Sequence, residues 1–190
     1  MKRLIAAALA AVIVATSAPA VSNAATATVL NASISTQEAE ATSIAKGETT
    51  TVTDENGTTE SVTLTDGSLT VSAVKSTSKK VSIAGTVNGY AVTKIKSSAF
   101  KNCKKATTID LTDCALTSLS KNQFKGAKNL KTVKINATKL TAKSINKKAL
   151  KGFKGKKIVL TCTSKKQFLK LIAKLHKSAG NNVKYVFKKA

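Results

Sequence analysis

The sequence predicts an α+β repeat fold: a short solenoid of about three turns, closed by an N-terminal β-hairpin or meander cap and a C-terminal helix-strand cap. Three observations predict it. From Val92 onward, apolar residues recur every 24 to 26 positions. Ahead of them, apolar positions alternate with period two between pairs of turn residues. Behind them, one stretch carries apolar residues at helical spacing.

Residues 1–24 read as a secretory leader, since Lys2 and Arg3 precede an apolar run from Leu4 to Val14 and small residues follow at Ala18, Ser22 and Ala24. Cleavage is expected near Ala24, with Ala18-Pro19-Ala20 offering a second small-x-small site. The apolar run is shorter than the roughly 20 residues a spanning helix needs. The expected location is therefore secreted or extracellular, with cell-wall association left open. Residues 25–50 are rich in Ala, Thr and Ser with interspersed acids and no apolar period, and read as a flexible acidic tether.

Residues 51–91 form the expected N-terminal β cap. Val62 and Leu64, then Leu69, Val71 and Ala73, then Val81 and Ile83 alternate, and Asn56-Gly57, Asp66-Gly67 and Asn88-Gly89 tolerate the positive φ of two-residue turns. The pattern predicts an antiparallel meander.

Residues 92–161 carry the repeats. Val92, Leu116 and Leu140 form one series; Phe100, Phe124 and Leu150 a second; Cys103, Ala127 and Phe153 a third. Ile109, Val133 and Ile158 recur together with Leu111, Ile135 and Leu160. A unit of this length exposes apolar edges that only its neighbours can cover, so the units must stack and the ends must be capped. Residues 162–190 supply the closing cap. A helix from about Ser164 to Ser178 places Phe168, Leu171, Ile172 and Leu175 on one face, with Ser164 as N-cap and Gly180 at its end, and a final strand carries Val183, Tyr185 and Phe187.

The segments ATTIDLTDCAL and NLKTVKINATKL fit the leucine-rich pattern L-x-x-L-x-L-x-x-N/C-x-L, with Ala106 replacing the first Leu and Thr138 replacing the Asn. The run VTKIKSSAFKNCKKATTIDL resembles the BspA-like leucine-rich repeats of bacterial secreted and surface proteins, with Ile95, Ala99, Phe100, Cys103, Ile109 and Leu111 in the repeat's apolar places. The likeness covers about residues 69–188. It departs at Lys96, Ala106 and Cys162, where the family prefers Gly, Leu and Pro. The resemblance implies an open solenoid used in adhesion or protein-protein contact.

Charge divides the chain. Residues 25–74 hold one base against seven acids, a net of −6, whereas residues 75–190 hold 29 lysines against Asp110 and Asp113, a net of +27. With so few acids and no phosphate-binding loop or nucleophile motif in the repeats, no enzymatic activity and no cofactor are expected. Cys103, Cys114, Cys162 and His176 contain no C-x-x-C spacing, so no metal site is expected; the thiols read as core residues and His176 as a helix-surface residue.

Two binding surfaces are candidates. Strand alternation turns Thr108, Asp110, Thr132, Lys134, Asn136, Lys157 and Val159 onto the concave face, with Asp110, Lys134 and Val159 as its central row. That face is the expected contact for a protein or glycan at the cell surface. Alternatively, Lys104, Lys105, Lys128, Lys131 and Lys156 hold the protein on an anionic polymer such as teichoic acid, acidic glycan or extracellular nucleic acid. After residue 3 the chain has no arginine, which argues against sequence-specific nucleic-acid recognition.

Overall fold

A computed structural model describes residues 44–179 and 182–190. The leader, the tether as far as residue 43, and Gly180 lie outside the described residues. Its regular elements are strands apart from one helix, and the strands form two five-stranded sheets.

The first sheet opens with β1 (Thr49–Thr53), β2 (Thr59–Thr65) and β3 (Ser68–Lys75), which pair antiparallel in sequence. Their alternation sorts the side chains: Val62, Leu64, Leu69, Val71 and Val74 are buried, and threonines and serines cover the outer face. Asp66 and Gly67 turn the second hairpin with φ of 49° and 71°, as their residue types require. Asn56-Gly57 behaves differently from the two-residue turn expected of it. Only Gly57 has positive φ, and Asp54 organises a wider loop by accepting hydrogen bonds from the Asn56 and Thr58 amides at 2.9 and 2.7 Å. Ordered packing also starts earlier than residue 51, because Ile44 is buried and the Gly47 amide donates to the Leu64 carbonyl at 2.9 Å.

A second departure concerns Val81. The expected antiparallel meander does not continue through it: β4 (Lys80–Ser82) leaves the first sheet and pairs parallel with β7 (Thr108–Leu111), Val81 opposite Ile109. Alternation marks which side of a strand is buried and is silent about the direction of its partner. The Asn88-Gly89 turn does join two antiparallel strands, β5 (Thr86–Val87) and β6 (Tyr90–Ile95), and β6 then pairs parallel with β3.

The second sheet runs β10-β9-β8-β7-β4, with β8 at Thr132–Asn136, β9 at Lys157–Cys162 and β10 at Lys184–Lys189. Every pairing in it is parallel. Ile109 lies opposite Val133 and Val133 opposite Ile158; Leu111, Ile135 and Leu160 follow in the same register. The 24- and 25-residue spacings of the sequence are thus the distances along the chain between side-by-side rungs. Between rungs the chain returns through Leu119 and Ile145, which form a parallel bridge, and through turns carrying Phe100, Phe124 and Phe153.

Those phenyl rings form a continuous column. Phe100 and Phe124 stack at 5.7 Å with 14° between planes, and Phe124 meets Phe153 at 6.0 Å and 57°. Leu150 keeps the buried place equivalent to Phe124, and Phe153, from the Cys103 and Ala127 series, extends the aromatic column. Gly155 accommodates the ring: a Cβ there would stand 2.3 Å from the Phe153 ring and 2.9 Å from the Lys131 carbonyl.

Helix α1 (Lys165–Ala179) follows β9. The Ser164 hydroxyl accepts from the Gln167 amide at 3.1 Å, the N-cap the sequence predicts. Gln167 also ties the helix to the preceding unit, its side-chain nitrogen donating to the Ala137, Thr138 and Leu140 carbonyls at 2.8, 3.1 and 3.1 Å. Phe168, Leu171 and Leu175 are buried, and Phe168 meets Phe187 of β10 at 5.5 Å.

Glu60 of β2 is the one buried carboxylate of the first sheet, 3% exposed. One oxygen accepts from the Ala84 amide at 3.2 Å and the other has no partner. Burial pushes its pKa up to about 7, the Ala84 amide opposes this and Asp54 adds to it. The thiols of Cys103 and Cys114 lie within reach of its charge, and burial raises both.

Because the folded carboxyl holds its proton more tightly than the unfolded one, its contribution is fully present below the unfolded pKa of 4.5 and is lost as pH rises through about 7. Urea denaturation is expected to show stability falling by about 3 kcal/mol between these limits, and Glu60→Gln to flatten that slope. Phe124→Ala, which breaks the aromatic column, is expected to cost about 3–5 kcal/mol in the same measurement.

Candidate functional site

The outer face of the second sheet is built by strand alternation. With Ile109, Leu111, Val133, Ile135, Ile158 and Leu160 turned inward and buried, the residues between them must face out. The register sets Thr108, Thr132 and Lys157 in one row, and Asp110, Lys134 and Val159 in the next. Asn136 lies opposite Thr161. The sheet extends the central row further than the sequence reading did, to Ser82 of β4 and Val186 of β10. The alternating KYVFKK segment carried a signal for Val186. Ser82 had none, since its strand reads equally well as a hairpin arm.

Asp110 and Lys134 meet at 2.9 Å, and the aspartate side chain is 11% exposed against 39% for the lysine. Burial alone would raise the Asp110 pKa, but hydrogen bonds from the Thr112 hydroxyl and the Lys134 ammonium, with the Thr112 amide and the lysine charge, hold it below its usual value. The carboxylate is therefore largely satisfied from within. Asn136 repeats the local arrangement, its side-chain oxygen accepting from the Thr138 amide at 3.2 Å and hydroxyl at 2.7 Å. The face presents hydroxyls, the half-buried aliphatic side chains of Val159 and Val186, and flanking ammonium groups.

The lysine candidates gather at the edge where the parallel strands begin. Lys105 and Lys131 line an open concavity of about 330 Å³ with Lys79, and Lys128, Lys131 and Lys156 line an adjoining one of about 550 Å³ with Lys154 and Lys157. Asn129 and Lys131 belong to both. Lys104 lines neither; its carbonyl accepts from the Asn129 side chain at 2.8 Å. The sequence reading missed Lys79, because it had placed the segment in a hairpin instead of at the start of a parallel strand.

The thiols of Cys103, Cys114 and Cys162 are free and buried. His176 is exposed on α1, its ring 4.6 Å from Tyr185. Among the described residues no three His, Cys, Asp or Glu side chains group to hold a metal ion, and no helix is long and apolar enough to cross a membrane.

Removing the cation should expose how Asp110 is held. In Lys134→Ala, carbon-detected NMR titration is expected to show the Asp110 carboxyl titrating at higher pH than in the parent, since the opposing burial remains.

No curated protein and no solved structure matches the chain significantly. The sequence does match the BspA type leucine-rich repeat region, in six copies over residues 74–169. That match begins ahead of Val92 and takes in β4, the strand that joins the parallel sheet, and it spans half of the chain. The chain belongs to the BspA type leucine-rich repeat family.

Proposed function

We propose that the protein is an exported, non-catalytic interaction module that acts at the bacterial cell surface and engages a protein or glycan through the outer, concave face of its parallel sheet. The repeats form a capped solenoid in this reading, with β1 to β3 closing one end and α1 with β10 the other. The observation that carries it is the central row, half-exposed among the described residues, in which Lys134, Val159 and Val186 lie one rung apart on a backbone braced by its neighbours. A rigid platform of this kind loses little entropy when a partner docks. Family membership supports an adhesive or protein-binding role, and the leader pattern of residues 1–24 supports export.

The contact residues are Thr108, Asp110, Thr132, Lys134, Asn136, Lys157 and Val159. Asp110 acts chiefly by positioning Lys134. Retention on an anionic wall polymer concerns the strand-start edge instead, and is a separate matter from contact through this face.

Binding of labelled protein to intact bacterial cells, and to their extracted surface proteins, tests the proposal. Val159→Asp combined with Lys134→Ala is expected to weaken attachment at least tenfold, while attachment of the parent survives a moderate salt wash. Unchanged binding by the double variant, or complete release of the parent by salt, would overturn it.

A further inference from the structure

We propose that the groove along the strand-start edge is a binding site for a linear polyol-phosphate polymer, a flexible chain with a phosphodiester in each repeat and no rings. This site borders the concave face, sharing Thr132 and Lys157 with it, but is centred on lysines outside that face and does not depend on the reading proposed for it. The sequence places many lysines in the repeats, but only the register turns a subset into a track. Backbone hydrogen bonds run rung to rung at this edge. The Thr107 and Thr108 amides donate to the Lys79 carbonyl, the Lys131 and Thr132 amides to the Thr107 carbonyl, and the Lys156 and Lys157 amides to the Lys131 carbonyl. Lys79, Thr107, Lys131 and Lys156 therefore stand in line across the sheet, successive rungs about 4.8 Å apart.

Lys105, Lys128 and Lys154 flank this line, and the two open concavities share Asn129 and Lys131 as lining residues. All these lysines are exposed. None is in an ion pair, since the two ion pairs among the described residues are Lys46 with Asp66 and Lys134 with Asp110. Neither concavity is lined by a carboxylate. Asp110, the acid nearest in sequence to the track, is two residues into its strand and engaged by Lys134. The result is a strip of unneutralised positive charge along the repeat axis, matched to an anion that repeats along one direction.

The chemistry of the lining narrows the class. Lysine ammonium groups act as point charges that bind phosphate without demanding a planar fork, and arginine is absent from the described chain. No aromatic side chain lines either concavity, so bases and sugar rings find no face to stack on. A ring-free polyanion loses nothing by that absence, and its flexible backbone can follow the lysines from rung to rung.

The test is direct binding of poly(glycerol phosphate) to the purified full chain, followed by calorimetry or fluorescence anisotropy. If about five phosphates are engaged, affinity should fall roughly a hundredfold between about 50 and 200 mM salt. Lys131→Glu combined with Lys156→Glu is expected to weaken binding at least tenfold, and Lys105→Glu combined with Lys128→Glu to do the same. A control of equal charge change on the helix, Lys170→Glu with Lys177→Glu, should alter affinity less than twofold. Melting curves confirm that each variant remains folded. Equal losses in groove and helix variants would reduce the effect to net charge and overturn the site. Single-stranded DNA or heparin binding as tightly as the polyol phosphate would overturn the ligand class, and no binding of the polymer at low salt would overturn the proposal outright. The Val159→Asp and Lys134→Ala pair should leave polymer binding within about threefold, so failure here is separable from failure at the concave face.

Discussion

The in-register covering of one repeat's apolar edge by the next is the constraint on which the rest of the structure depends. Val81, Ile109, Val133, Ile158 and Tyr185 stand side by side across five parallel strands. Each inner row is sealed only because its neighbours on both sides are present. Elsewhere β3 lies alongside β6, and the helix brings Phe168 against Phe187 of the edge strand β10. Parallel strands need long returns between them, and those returns carry the aromatic column that fills the middle.

This architecture tolerates unequal units when the mismatch is absorbed locally. The third return is longer than the second, and Phe153 turns in to continue the column begun by Phe100 and Phe124. The ring then occupies space that a side chain at position 155 would need, so glycine stands there. The same stretch delivers Lys154, Lys156 and Lys157 to the strand-start edge, linking a packing adjustment in the interior to the charge of the surface above it.

Electrostatics follows from where the register puts the few acids. Twenty-nine lysines share residues 75–190 with two aspartates, yet one aspartate is drawn into a partly buried pair with Lys134. A pair of this kind sets geometry more than it adds stability, because burying its charges offsets much of their attraction. The neighbouring strand-start edge keeps its full positive charge. In the first sheet the situation is reversed: Glu60 is buried without a cation, and burial, with a smaller push from Asp54, favours the protonated form.

The sequence by itself determined the rungs, the inward rows and the helix with its Ser164 cap, because a spacing of 24 or 25 residues, period-two alternation and helical periodicity are all local consequences of which side chains must be buried. It also carried the Asp66-Gly67 and Asn88-Gly89 turns, where positive φ selects the residue type. Only tertiary structure decided that Val81 joins a parallel sheet, that Asp54 widens the Asn56-Gly57 loop, that Glu60 is enclosed, and that Lys79 lines up with Lys131 and Lys156. Strand direction, the enclosure of a charge and the neighbours of a lysine depend on segments distant along the chain. Alternation records which face is dry, and is the same whichever partner makes it so.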